Sequence, residues 1–371
     1  MKDLREYKDP LYGCRFCTMC KPAAEVANLT WLESHTTRAR ALILWRIVEG
    51  IAKWQPRDIE LLYQSTLDSI SQAWCVVDYP VSEYVLAARA GVYAAGLAPQ
   101  EVRQALSRLT VAQPVARSDV LFLASEAAEL EDASVNEPAL RAFERTVIKP
   151  SVATVLSGAL AYALGDVPRA AEQAKQVVEL IRQSGARTII TDSVQTLWAL
   201  RRVYPALEIA LPDRITITTL SEFLVDGIKQ GQVSLPPIQH KVFFHDCRAA
   251  ALVADAAATA EAIQPGYRGG EETLGKGNVF DAPRHVLDTL GITRLYSVWS
   301  RALCKSCGAD DGLWLTYPKL AQGLARQRLD EAKRLGAELL VTDSLLCATH
   351  LKRAAREDDI RVAWLAELVT R

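Results

Sequence analysis

The sequence lacks a charge surplus of either sign. Lysine and arginine number 43 against 44 aspartates and glutamates, a formal net charge of −1. With no basic tract either, the electrostatic basis for binding nucleic acid or an anionic membrane is missing. No apolar run approaches the ~18 residues that a membrane span requires. The opening Met1-Lys2-Asp3-Leu4-Arg5-Glu6-Tyr7 also lacks the apolar core of a secretion signal. A cytoplasmic protein is expected. Histidine is scarce, and His35, His240, His285 and His350 show no metal spacing. Gly266-Tyr267-Arg268-Gly269-Gly270, with Gly275-Lys276-Gly277, reads as a flexible lid-like loop. No Walker lysine and no G-x-G-x-x-G after a strand accompanies it, so phosphate binding is not expected. Neither a Ser-His-Asp set nor a paired-carboxylate signature stands out. What remains is a globular chain of 371 residues, half of them hydrophobic, long enough for two or three domains.

Cysteine, by contrast, is present and clustered. Cys14, Cys17 and Cys20 open the chain and Cys75 follows alone; Cys247, Cys304, Cys307 and Cys347 come after a long gap. A reducing compartment disfavours disulfides, so this grouping points to metal or redox work. Gly13-Cys14-Arg15-Phe16-Cys17-Thr18-Met19-Cys20-Lys21-Pro22 is a C-x2-C-x2-C run. Such spacing lets three thiolates reach three irons of a cubane, as in the bacterial ferredoxin run. The position of that run's fourth cysteine is Ala24. Structural zinc is the rival, although zinc sites usually arrive as two C-x2-C pairs. Cys75, in Trp74-Cys75-Val76-Val77-Asp78-Tyr79-Pro80, reads as the tail of a second run with tyrosine in the last cysteine position. In two-cluster ferredoxins that last cysteine serves the other cluster. A [4Fe–4S] cluster on Cys14, Cys17, Cys20 and Cys75 is therefore expected. Periodicity predicts helices over residues 31–50 and 55–73, within a helical ferredoxin-type domain of residues 1–110.

The rest of the chain contains two related halves. Ser184-Gly185-Ala186-Arg187-Thr188-Ile189-Ile190-Thr191-Asp192-Ser193 parallels Leu335-Gly336-Ala337-Glu338-Leu339-Leu340-Val341-Thr342-Asp343-Ser344. Each follows an amphipathic helix, giving a helix, Gly-Ala turn and short strand, an α/β unit. Aligned in this way, Cys247 falls opposite Ser125, Cys307 opposite Ser157 and Cys347 opposite Thr196. Ser193 stands at a further would-be ligand position of the first half. Hydroxyls pack where thiols do but are poor ligands for soft metals. One metal-bearing copy (residues 236–371) and one metal-free copy (residues 111–235) are expected.

These residues give the chain a resemblance to the iron–sulfur subunits of heterodisulfide reductase, anaerobic glycerol-3-phosphate dehydrogenase and glycolate oxidase. Those proteins join a ferredoxin domain to two cysteine-rich CCG domains. Phe244-His245-Asp246-Cys247 is similar to the family's His-Asp-Pro-Cys start, and Phe280-Asp281-Ala282-Pro283-Arg284 to its Tyr-Asp-Ala-Pro-Arg. Leu303-Cys304-Lys305-Ser306-Cys307-Gly308 stands where the family has Leu-Cys-Cys-Gly. Thr342-Asp343-Ser344-Leu345-Leu346-Cys347 stands where it has Cys-Pro-x-Cys. The split cysteine pair and Ser344 leave four thiols rather than five, which does not suit a noncubane double cluster. The expectation is a second [4Fe–4S] cubane on Cys247, Cys304, Cys307 and Cys347, with Zn as the alternative.

The resemblance implies an α plus α/β fold and an electron-transfer role within a complex. The chain would relay electrons between a flavin-containing dehydrogenase or demethylase partner and a quinone or an electron-transferring flavoprotein. Location would be cytoplasmic, or peripheral at the inner membrane through partners. A zinc-stapled structural or assembly subunit is the rival. His245 is expected to pack beside the second site rather than ligate, Arg38 and Arg40 to lie on a solvated helix face, and Trp31, Trp45 and Trp74 to be core residues.

Overall fold

The computed structural model describes residues 2–107, 116–125, 133–144, 146, 148–254 and 277–370. The expected boundary at residue 110 and the glycine-rich stretch before Gly277 lie outside the described residues.

Two short apolar segments, β1 (Val120–Ala124) and β3 (Thr188–Thr191), run side by side and parallel, flanked by β2 (Ser151–Thr154) and β4 (Thr216–Thr219) in the order β2-β1-β3-β4. The central strands are buried on both faces, which is why they read as continuous apolar runs rather than alternating ones. A second four-stranded parallel sheet has the order β6-β5-β7-β8. Its strands are β5 (Lys241–His245), β6 (Thr293–Leu295), β7 (Leu339–Thr342) and β8 (Arg361–Trp364).

The registers of the two sheets correspond. Leu123 pairs with Thr191 in the first and His245 with Thr342 in the second, so Ser125 occupies the position that Cys247 holds. Helix Val167–Ser184 ends at Gly185 in the left-handed region and feeds β3. Helix Pro318–Arg334 feeds β7 through Gly336, also at positive φ. Gly158 and Gly308 take φ of 84° and 86°, and a Cβ on either would meet the carbonyl oxygen of the following helix, Ala170 or Ala321, within 2.8 Å. Only glycine fits that approach. The sheets share one apolar cluster, joining Phe122, Ile190 and Leu224 to Val242, Val341 and Trp364.

Among the described residues, seven α-helices precede the sheets: α1 (Lys8–Cys14), α2 (Glu25–Thr30), α3 (Thr37–Val48), α4 (Pro56–Tyr63), α5 (Ser69–Ala73), α6 (Val81–Ala94) and α7 (Gln100–Ser107). The helix expected over 31–50 begins only at Thr37. Trp31 ends α2 at φ 60°, and the Thr36 hydroxyl caps α3 by accepting from Ala39 N–H. Trp31 is 89% exposed and so is not a core residue. The segment 55–73 is likewise broken, with Leu67 and Asp68 at positive φ between α4 and α5. Arg89 of α6 is fully buried and donates to the carbonyls of Leu62, Ser65 and Ala163. One guanidinium thus ties the helical part to the first sheet unit. Among the described residues, no helix is long and apolar enough to cross a membrane.

Candidate metal centres

The N-terminal cysteines lie on three pieces of backbone. Cys14 ends α1, and Cys17 N–H bonds back to the Cys14 carbonyl at 3.0 Å. Cys20 precedes a tight turn that starts at Lys21-Pro22. Cys75 follows α5, its N–H donating to the Gln72 carbonyl at 3.0 Å. Gly13 lets the second segment close in, for a Cβ there would sit 2.1 Å from the Tyr79 hydroxyl. The four thiols are electrostatic neighbours. Burial pushes the Cys14 thiol up to about 12; the Tyr84 hydroxyl, 3.4 Å away, opposes this, and Cys20, Cys75 and Cys17 add to it.

Cys20 is also raised by burial, with the Ser71 and Thr37 hydroxyls opposing. Tyr79 N–H reaches Cys75 Sγ at 3.5 Å. Thiols held in such a pocket resist ionisation unless a cation compensates them, and the hydroxyl and amide donors are those that steady cluster sulfurs. Arg40 is not on a solvated face. It is 2% exposed and forms a two-pronged pair with Asp68, which itself faces Cys20. Arg38 pairs with Glu33 at the surface.

The second centre sits at the carboxyl ends of β5 and β7. There the strand order reverses direction, and open parallel sheets place ligands at that crevice. His245 ends β5, Cys247 follows it, and Cys347 lies in the first turn of helix Leu345–Ala354, capped by the Ser344 hydroxyl at 3.5 Å. The loop after β6 brings Cys307 and Asp310. Two sets of ligand atoms lie within 4.8 Å of one another, His245 with Cys307 and Cys347, and Cys247 with Asp310 and Cys347. Cys347 is common to both, and all five residues are buried. Its thiol is held well below the ordinary value, because Cys247 and Cys307 donate to it; burial opposes and His245 assists. Asp310 Oδ1 also lies 3.3 Å from Cys247 Sγ and competes for its one proton.

Cys304 stands apart from these sets. Its sulfur is 3.7 Å from Arg248 Nη1, which also donates to the Ala302 and Cys304 carbonyls. The structure therefore gathers Cys247, Cys307 and Cys347 and adds His245 and Asp310. The H-x-C spacing of His245 and Cys247 was the available signal for the first; nothing local marks Asp310. Arg328 Nε donates to His245 Nδ1 at 3.4 Å, which leaves the proton of a neutral ring on Nε2. That nitrogen is buried and suited to donate to the Cys347 thiolate, which His245 helps to hold.

Compactness separates the two centres. A tetrahedral ion with metal–sulfur legs of about 2.3 Å holds its sulfurs about 3.8 Å apart. A cubane, with iron–iron edges interposed, holds them wider. Each of the two three-donor sets around Cys347 has the single-ion scale, with Cys247 in one and Cys307 in the other. Among the described residues, no three of the N-terminal thiols come within 4.8 Å of one another, as a wider group requires. The corresponding positions of the first sheet hold Ser125, Ser157, Ser193 and Thr196, all buried. Ser193 and Thr196 hydroxyls bond each other at 3.1 Å, and Ser125 N–H donates to Asp192 at 2.8 Å.

The first sheet nevertheless reaches the second centre. Gln195 Nε2 donates to Asp310 Oδ1 at 2.5 Å, while Gln195 Oε1 accepts from the Ser344 hydroxyl at 3.0 Å. From the other side, Trp74 stacks on Trp299 with ring centroids 5.6 Å apart, setting the residue before Cys75 against the loop that leads to Cys304.

Comparisons with known proteins agree with this cysteine chemistry. Residues 274–352 match the family model of the cysteine-rich domain CCG. One component of the dihydromethanophenazine:CoB–CoM heterodisulfide reductase of Methanosarcina mazei is 28% identical over 210 residues, covering 55% of this chain and 44% of that protein. Its counterpart from Methanosarcina barkeri is 25% identical over 208 residues, with the same coverage. The chain thus spans less than half the length of these relatives. A hypothetical protein from Helicobacter pylori shares the fold with a TM-score of 0.59 at 11% identity, covering 89% of this chain and 67% of that one.

Proposed function

We propose that this chain is an iron–sulfur electron-transfer subunit of a multi-subunit oxidoreductase. The observation that carries the reading is the gathering of Cys14, Cys17, Cys20 and Cys75 among hydroxyl and amide donors at a spread wider than a single ion. These four would hold a [4Fe–4S] cluster, which supplies one-electron redox chemistry; the protein's part is to bury it and set its hydrogen bonds. In this reading residues 1–110 are a ferredoxin-type domain, and 111–235 and 236–371 are two CCG-type units of which only the second binds metal.

For that second centre the compact sets around Cys347 favour zinc over a cubane. Cys347 shares one compact set with Cys247 and Asp310 and another with Cys307 and His245, so Cys247, Cys307, Cys347 and Asp310 would have to close in together around one ion, with His245 beside them. Three thiolates and a carboxylate suit zinc, which is redox-silent. The electron path would then use the N-terminal cluster alone, and the zinc would staple the loops that pack on it. Substrate oxidation is assigned to a flavin-containing dehydrogenase partner. The acceptor is a quinone or an electron-transferring flavoprotein, and the location is cytoplasmic or peripheral at the inner membrane through partners.

Anaerobic purification tests the reading. The protein should be brown, with a broad visible absorption that dithionite bleaches and an EPR signal of a reduced [4Fe–4S] cluster. A colourless protein binding only zinc would make it a structural component instead.

A further inference from the structure

A cleft of about 720 Å³ opens between α6, the first residues of the chain and the segment that follows β3. Its size falls in the range of pockets that enclose a ring-sized organic molecule. Aromatic rings form its walls. Tyr162 and Trp198 meet edge to face at 5.9 Å, and Tyr7 also lines the cleft. Directly after Trp198 the chain takes a π-helical turn, Ala199–Val203. Such turns offset the side-chain register and recur at functional sites.

Polar groups share the lining, with Lys2, Glu6, Glu83 and Arg202 among them. Tyr7 donates to Glu83 at 3.0 Å. The Ser82 hydroxyl, in a residue 3% exposed, has no partner among the described residues. An orphaned buried hydroxyl on the lining of a cleft is a vacant donor for a ligand's oxygen.

The cleft touches the N-terminal thiols by two routes. Tyr7 packs edge to face on Tyr84 at 6.5 Å, and the Tyr84 hydroxyl is 3.4 Å from Cys14 Sγ. Gln72, on the lining, accepts the Cys75 N–H through its carbonyl and the Ser82 N–H through its side chain. A molecule seated here would lie two aromatic rings, Tyr7 and Tyr84, from the Cys14 thiol.

We propose that this cleft binds a flat, carbonyl-bearing aromatic carrier of the quinone type, with the Ser82 hydroxyl donating to one carbonyl and the ring lying against the aromatic lining of Tyr7, Tyr162 and Trp198. This rests on the assignment of a redox cluster to Cys14 only for its purpose, not for binding itself. Equilibrium dialysis of the full chain under anaerobic conditions, with 2,3-dimethyl-1,4-naphthoquinone as probe, tests it. Both ring carbons of that quinone are substituted, so cysteines do not add to it.

Saturable binding of one quinone per chain is expected. Ser82→Ala should weaken it about five-fold, the worth of one hydrogen bond, and Ala206→Trp, which plugs the exposed rim, should abolish it. Circular dichroism should show both variants folded. No saturable binding, or binding that both folded variants retain, overturns the site. Iron analysis of the same samples separates the two claims. Iron without quinone binding removes the site and keeps the cluster, whereas quinone binding without iron keeps the site and removes the cluster.

Discussion

Glu25 Oε2 accepts the backbone N–H of Ser306 at 2.8 Å, across 281 positions of sequence. Its other oxygen accepts from the Thr66 hydroxyl at 2.5 Å. Glu25 follows the C-x2-C-x2-C run by five residues, and Ser306 lies between Cys304 and Cys307. One buried carboxylate therefore fixes both cysteine loops relative to each other. Replacing it strands two buried donors, at about 1–3 kcal/mol each. Glu25→Ala is expected to lower the urea midpoint and reduce metal occupancy at both centres. Glu25→Gln, which keeps one acceptor, should fall between. If the alanine variant retains full iron and zinc and its stability, the carboxylate does not couple the sites.

Cys75 is the remote member of its group, marked by its C-x3-Tyr-Pro setting and not by C-x2-C spacing. Cys75→Ser should strip or convert the N-terminal cluster while leaving the second metal in place. Iron content and EPR read the first effect, and zinc analysis the second. Unchanged iron and EPR would mean that another residue is the fourth ligand.

Gln195 belongs to the sheet unit whose own ligand positions are hydroxyls, yet it holds Asp310 of the other. Outer-shell partners of this kind commonly carry 10–100-fold of metal affinity. Gln195→Leu should speed loss of the second metal to a chelator by at least about ten-fold without altering the cluster's EPR spectrum. Retention equal to the unmodified protein would show that Asp310 needs no such support.

Asp343 supplies a pH prediction. Burial raises its carboxyl to about 7, Glu222 and Asp246 add to this, and the Ser221 hydroxyl, 2.5 Å away, opposes it. The folded chain thus keeps this proton up to about pH 7, whereas the unfolded chain releases it near the ordinary value of 3.8. Between those values the folded state binds more protons, so rising pH costs stability, on the order of a few kcal/mol by pH 8. Asp343→Asn should be spared this loss. Urea unfolding at pH 5 and pH 8 checks it; an equal drop in both proteins would contradict the assignment.

The N-terminal cysteine run was legible as a cluster of thiols because its members are local, two residues apart on a chain that must curl. The Gly-Ala turns that feed β3 and β7 were legible for the same reason, since Gly185 and Gly336 end helices at positive φ. The second centre was only half legible. Its members come from the ends of two strands and a loop after a third, so tertiary packing decides which thiols meet. Cys304 had the right spacing to Cys307, but the Arg248 guanidinium draws it aside, and Asp310 takes a place beside Cys247. Arg40 misled for a related reason. Helical periodicity marks a face, and nothing in the sequence showed that Asp68, at positive φ after α4, would bury it.

The proposed function needs one cluster at Cys14, Cys17, Cys20 and Cys75 and one ion around Cys347. Metal stoichiometry of the anaerobically purified full chain tests it most directly. The account predicts about four iron and about one zinc per chain. About eight iron and no zinc would contradict the single-ion centre, and an absence of iron would contradict the electron-transfer function itself.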